Sequence, residues 1–209
     1  MRTNDLIGAL AADVKPGLSP GRALAVAVAA GALAAAILFS LVLGPRPDIA
    51  HAVATIRFDF KFVLTLSLAA SAAVLALRLA RPEARAGKTI LLVVPAMLAI
   101  AIVLELVNVP AQDWLARWIG HNSRACMINI PFLSLLPLFA VLAAMRLGAT
   151  TRPVLSGAVA GLLAAGIGAS FYAAHCPDDS PLFVATWYTI ATSFVTGLGA
   201  LLGSRFLRW

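Results

Sequence analysis

The chain has 209 residues, 61% of them apolar and 12% charged, with a formal charge of +7. A soluble domain carries about 25% charged residues, and here the apolar residues come in unbroken blocks rather than a helical stripe, which excludes a water-soluble globular domain. The alternation of barrel strands is also absent, so runs of this length, with no water in lipid to satisfy their backbone, are helical.

Charge-free runs cover 23–45, 62–77, 89–104, 125–145, 153–174 and 180–204, each near or beyond the roughly 17 to 25 residues that cross a hydrocarbon core. The expected fold is an all-α membrane protein, a bundle of six transmembrane helices, with residues 1–22 outside the lipid and residues 23–209 forming the membrane domain. Lys61 and Arg78 are expected to snorkel from the ends of the second span. Glu105 should lie near one edge of the third, because a charge at the bilayer centre costs about 2.5 to 3.5 kcal/mol.

Orientation follows from the basic residues. With the N-terminus inside, the inner segments hold Arg2, Lys15, Arg22, Arg78, Arg81, Arg85, Lys88, Arg146, Arg152, Arg205 and Arg208; the outer ones hold Arg46, Arg57, Lys61, Arg117 and Arg124. This bias sets both termini in the cytoplasm by the positive-inside rule. Asp5, Asp13 and Glu83 are the inner acids, and Asp48, Asp59, Glu105, Asp113, Asp178 and Asp179 the outer ones. Topology therefore accounts for the basic balance without a direct nucleic-acid partner.

At the start of the chain, Thr3 or Asn4 can cap a helix whose Leu6, Ile7, Leu10 and Val14 fall on one side, and Pro16, Gly17 and Pro20 end it. So short a helix needs a surface to lie on. Two readings stay open: docking on a cytoplasmic protein by its apolar face, or a membrane-surface anchor or frayed tail. The first apolar run exceeds the roughly 7 to 15 residues of a signal-peptide core, which favours an uncleaved anchor. His51, in the following loop, reads as solvated.

Residues 81–88 form a basic turn that reads as an orientation signal in contact with headgroups. Pro95 is expected to bend the third span, and Glu105 to bond Asn108 or Arg117. In the next outer loop, Trp114, Leu115, Trp118 and Ile119 make one face of a short helix lying in the headgroup layer. Pro131 and Pro137 make the fourth span irregular, a natural element to tilt when its outer end is pulled. The fifth span carries Ser156, Gly157, Ala160, Gly161, Ala164, Ala165 and Gly168, a small-residue face that favours close helix packing and leaves a homodimer open.

Catalytic patterns are absent: there is no HExxH, GxSxG, phosphate loop or dinucleotide fingerprint. The chemistry reduces to Cys126 and Cys176, the chain's two cysteines. Cys176 stands in the turn His175-Cys176-Pro177-Asp178-Asp179, which is expected to face outward at the same membrane side as Cys126. Three readings of the pair stay open: a structural disulfide, two inert thiols, or a responsive site. In the last, Cys126, Cys176, His175 and Asp178, with Asp179 and His121 nearby, offer a mixed set of thiolate, imidazole and carboxylate ligands suited to transient binding of a soft cation. The spacing is not that of a structural zinc motif, and no resident cofactor is required. A membrane thiol oxidoreductase would want a CxxC pair or a second shuttling pair of thiols, and a solute transporter would want polar residues at midplane. Neither pattern stands out, so the expectation is a non-enzymatic sensor.

The stretch Thr3-Asn4-Asp5-Leu6-Ile7-Gly8-Ala9-Leu10-Ala11, six spans, Cys126 at the entrance of a fourth span containing Pro131 and Pro137, and His175-Cys176-Pro177-Asp178-Asp179-Ser180 before a sixth span with Trp187-Tyr188 together resemble the NrsF family, negative regulators of extracytoplasmic-function (ECF) sigma factors. The resemblance covers the whole chain. It implies an anti-sigma factor in the bacterial inner membrane that holds its cognate ECF sigma factor through the N-terminal segment, with Asp5, Leu6, Ile7 and Leu10 at the contact, and releases it under stress. In the family two periplasm-facing cysteines are linked to sensing heavy metals such as chromium and cadmium. Carried over, these are Cys126 and Cys176.

Overall fold

The structure, a computed structural model, describes residues 3, 18–80, 87–148 and 150–208. Six helices in it are long and apolar enough to cross a membrane: α1 (Pro20–Val42), α2 (Ile56–Leu79), α3 (Thr89–Asn108), α4 (Ser123–Met145), α5 (Pro153–Ala173) and α6 (Pro181–Phe206). No strand occurs among the described residues. Residues 4–17, and with them Asp5, Leu6, Ile7 and Leu10, lie outside the described residues, as does most of the basic turn at 81–86.

Local chemistry sets the helix boundaries. Ser19 caps α1 by accepting the Arg22 N–H, and Pro20 occupies the first helical position, where its missing N–H costs nothing. At the other end the N–H groups of Leu43 and Gly44 both return to the Phe39 carbonyl, and Gly44 takes a φ of +67°, the left-handed residue that closes a helix. Helix α2 begins at Ile56, earlier than the charge-free run, and so takes Asp59 and Lys61 into its first turns. Pro95, expected to bend the third span, stands close to a change of helix type. A 3-10 stretch at Lys88–Leu92 leads directly into α-helix at Val93–Asn108, so the proline stands in the first α-turn, where an absent N–H is tolerated. Pro131 and Pro137 do lie inside α4. Near the start of α6 the ladder widens to a π-turn at Val184–Tyr188.

Helix α5 is the central post, packed against α2, α4 and α6, while α1 joins through α4. Its small residues explain the closeness. A Cβ on Gly157 would collide with the backbone of Gly199 and Gly203, and one on Gly161 with Val195 and Thr196. Gly166 and Gly168 press in the same way on Ala69 of α2 and Ser134 of α4. The small-residue face is thus occupied by helices of the same chain, where close backbone approach supplies the dispersion contacts that hold helices together in lipid.

Two large clusters make up most of the core, beside a small one of Ala23, Ala27 and Ala144. One gathers Leu24, Leu79, Met145 and Leu207 around Leu138, Leu163 and Val195, so the start of α1 and the end of α6 meet at one end of the bundle, the terminal end. The other gathers Phe39, Leu64, Cys126, Ile130, Tyr172, Cys176, Phe183 and Tyr188 and defines the thiol end. Helix α3 stands at the edge, touching α2 and the start of α6. Only 11% of its core window is buried, and Ile100, Val103, Leu104 and Val107 face outward.

Candidate functional site

Helix α5 does not release the chain at Ala173. The N–H groups of His175 and Cys176 both bond the Tyr172 carbonyl, at 3.0 Å each, which wraps one further turn before Pro177 stops it. That turn aims the Cys176 side chain inward. Cys176 and Cys126 are both fully buried free thiols in the same apolar cluster, and Cys176 is covered in full, backbone and side chain alike. Cys126 arrives from the first turn of α4, its N–H on the Asn122 carbonyl at 2.8 Å. Around the pair stand Tyr172 and Tyr188, ring centroids 6.0 Å apart, and Phe183, 6.4 Å from Tyr188.

Burial pushes the Cys176 thiol up from its ordinary range, opposed by the nearby Lys61 ammonium. It is therefore a neutral thiol at neutral pH. A neutral, covered thiol is a poor nucleophile and a poor metal ligand, so this sulfur reacts only when its cover opens.

A collar of charged groups holds that cover. Lys61 was expected to snorkel to the surface; instead it is fully buried. Its ammonium lies 2.5 Å from Asp179 Oδ1 and donates to the Cys176 carbonyl at 2.7 Å. A charge this deep is tolerable only with an opposite partner and further hydrogen bonds, and the cysteine loop supplies both. Asp179 Oδ2 also accepts from Arg46 Nη1 at 2.8 Å, while Arg46 grips Asp48 through Nε and Nη2, each at 2.7 Å. Hydrogen bonding to Asp48 holds the Arg46 guanidinium protonated well above its usual range, and the same contact lowers the Asp48 carboxyl. The backbone joins in: the Arg46 N–H donates to the Ala174 carbonyl at 3.0 Å.

Glu105, at the end of α3, forms the second half of the collar. It is buried, paired with Arg57 at 2.8 Å and Arg117 at 3.1 Å, and accepts the Ser180 hydroxyl at 3.3 Å. Arg117 is one of the two partners expected. Asn108 is not a partner, because its amide donates to the Leu104 carbonyl one turn back. Asp178 accepts the backbone N–H groups of His121 and Asn122, at 3.1 and 2.8 Å, and the Asn122 side chain. Gly120, with a φ of +59°, leaves no room for a Cβ between the Phe183 ring and Asp178. The short helix Trp114–Ile119 is tied to α6 by Trp118 Nε1 on Thr186 Oγ1 at 2.7 Å and by Trp187 Nε1 on the Trp118 carbonyl at 3.1 Å.

The four-residue metal set Cys126, Cys176, His175 and Asp178 is not assembled. His175 Nδ1 is engaged with the Gly44 carbonyl at 2.9 Å, Asp178 is turned to the 121–122 backbone, and the His121 ring is almost wholly exposed. Among the described residues no group of three or more His, Cys, Asp or Glu side chains is placed to hold a metal ion. Only the two thiols share one cluster. Sequence reasoning placed Asp179 beside the thiols only as a carboxylate ligand and missed Lys61 and Arg46 as members of the site; the one available signal was a lysine and an aspartate left unpaired within their own segments near the same membrane edge.

The family described as "Negative regulator of sigma F" (NrsF) matches residues 10–209. The chain is 36% identical over 214 residues to the anti-sigma-F factor NrsF of Caulobacter vibrioides, with 100% of each chain covered. It is 34% identical over 218 residues to the probable anti-sigma-F factor NrsF of Azospira oryzae, again over 100% of each. No solved structure matches.

Proposed function

The chain belongs to the NrsF family of negative regulators of sigma F, and from that premise we propose an inner-membrane anti-sigma factor, not an enzyme, that sequesters an ECF sigma factor on its cytoplasmic N-terminal segment. The relatives named as anti-sigma-F factors support the regulatory role and a sigma-factor partner. Six membrane-crossing helices support placement in a bilayer, and the bias of Lys and Arg toward the terminal end supports cytoplasmic termini. On that orientation the thiol end faces the periplasm.

One observation carries the sensing half of the proposal. The segment that contains Cys176 is bonded to the 44–48 loop, α2, the end of α3 and the 121–122 turn, so a change at this sulfur reaches nearly every element of the thiol end at once. Entry of a soft divalent cation between the two sulfurs releases two protons and forms two metal–thiolate bonds. Alternatively, a periplasmic dithiol oxidant takes two electrons and two protons and leaves a disulfide. Either event demands that the buried thiols come out of their cover, which loosens the Lys61 and Glu105 clasps. The displaced helix ends carry the change through α4 and α5 to the terminal end, where the sigma factor is released.

The test is co-purification of full-length protein with the sigma factor encoded beside it. Parent protein retains the sigma factor, and Leu6→Asp with Leu10→Asp loses it. Full-length protein that retains none refutes the sequestering role. Cys126→Ser with Cys176→Ser should retain the sigma factor yet fail to release it on treatment with cadmium or a thiol oxidant. Unchanged release would remove the thiols from the mechanism.

A further inference from the structure

Where α3 leans on α2, a cleft of about 550 Å³ opens between Phe60, Met97, Ile100, Ala101 and Leu104. It follows α3 from Met97 to Asn108, about 16 Å at the helical rise, and faces the lipid side of the least buried helix. Its wall is apolar until the thiol end, where Arg57, Glu105 and Asn108 stand at the mouth. Arg117 reaches the same place through its contact with Glu105.

The charges at this mouth do not balance. Two guanidinium groups meet one carboxylate, and both remain partly open to solvent, Arg57 at 42% and Arg117 at 36% exposed, while Glu105 is at 3%. Arg57 uses Nε and Nη2 on Glu105 and leaves Nη1; Arg117 uses Nη1 and leaves Nε and Nη2. Asp178 and Asp179 line the adjoining hollow with the same two arginines, but the first is taken by the His121 and Asn122 amides and the second by Lys61 and Arg46. The mouth therefore presents unused guanidinium N–H donors at the level where α2 begins and α3 ends, directly above an apolar slot.

We propose that this cleft binds an anionic phospholipid, one acyl chain lying between α2 and α3 and the headgroup phosphate on Arg57 and Arg117. Guanidinium is suited to this task because its planar fork matches phosphate oxygens. A zwitterionic lipid fills the same slot with its tail, but its own ammonium offsets the attraction to the arginines. Selectivity for the anionic headgroup is thus the signature of the site, and it requires both the arginines and the slot.

The experiment uses full-length protein in nanodiscs of equal phosphatidylglycerol and phosphatidylcholine, released into native mass spectrometry to count the lipids retained. Parent protein should keep phosphatidylglycerol over phosphatidylcholine by about fivefold or more, as expected for each basic group near an anionic surface. Two variants probe the two halves. Arg57→Gln with Arg117→Gln and Glu105→Gln removes the donors without stranding the carboxylate, and should lose the preference. Ala101→Trp fills the slot with the arginines intact, and should lose the retained lipid. Equal retention of both lipids by the parent overturns the proposal, as does a preference that survives in both variants. Loss in the arginine variant alone overturns the cleft as the binding place.

Discussion

The Lys61 ammonium sits 2.5 Å from the Asp179 carboxylate, although 118 positions separate the two residues. This pair fastens the first turns of α2 to the loop between α5 and α6. Since Lys61 has no exposure, removing the Asp179 charge leaves a buried ammonium with no anion, only the Cys176 carbonyl and the face of Phe58 beside it. Asp179→Asn is expected to destabilise the protein by about 3 to 5 kcal/mol, the usual cost of orphaning a buried ion. Lys61→Met in the same chain should restore much of the loss, because no charge is then left to desolvate. Thermal unfolding in detergent of the single and double variants completes the cycle. An Asp179→Asn protein as stable as the parent refutes the clasp.

The cover over Cys176 makes a statement about pH. Its folded thiol is raised by burial, above the roughly 8.5 of an exposed cysteine. An acid raised on folding favours the native state while both states hold the proton; that advantage is lost as pH rises past the unfolded value, where only the unfolded thiol ionises. Stability should therefore fall from about pH 8.5 upward. Cys176→Ser should show a smaller fall, measured by urea unfolding across that range. Equal slopes in the two proteins would mean that the thiol is not covered in solution.

Glu105 links the end of α3 to Ser180 while holding two arginines. Glu105→Ala removes all three contacts and leaves Arg57 and Arg117 free to hydrate. Hydrogen bonds to a charged group are worth about 1.5 to 3 kcal/mol, so local opening of residues 174–180 should rise roughly ten- to a hundredfold. Hydrogen exchange of that segment reads it directly. Alkylation of Cys176 by a maleimide should accelerate in step, and unchanged exchange would show that the loop is held by other contacts.

Two glycines of α6 make a controlled comparison. A Cβ at Gly199 would strike the Gly157 carbonyl and the Gly161 backbone, while at Gly197 nothing lies within 4 Å. Gly199→Val is expected to push α5 and α6 apart, with a cost of about 1 to 3 kcal/mol or more from overpacking. Gly197→Ala should be neutral or slightly stabilising, since alanine is the better helix former. Melting temperatures of the two variants test this, and equal tolerance at both positions would place α6 elsewhere.

Much of this architecture was legible before any coordinates. Apolar runs at 23–45 and 153–174 anticipated α1 and α5 within a few residues, and the glycine and alanine spacing anticipated a tightly packed α5. Hydropathy measures how much apolar surface a segment carries and not which way each side chain points. It therefore put Lys61 at the surface, because lysine usually reaches out, whereas the distant Asp179 turns it inward. For the same reason the burial of Cys176 was not legible: the extra turn after Ala173 that rotates it into the bundle is a backbone hydrogen-bond choice, invisible in composition. Arg117 was found for Glu105 because it lies in the adjoining loop; Arg57, 48 residues upstream, was not.

Lys61 grips residue 176 by its carbonyl oxygen rather than by sulfur. The fastening consequently does not depend on the sulfur, and a side chain no larger than cysteine leaves it in place. Serine or alanine there can silence the chemistry while the loop keeps its anchorage, so a phenotype in such a strain reports on sulfur itself and not on a collapsed scaffold.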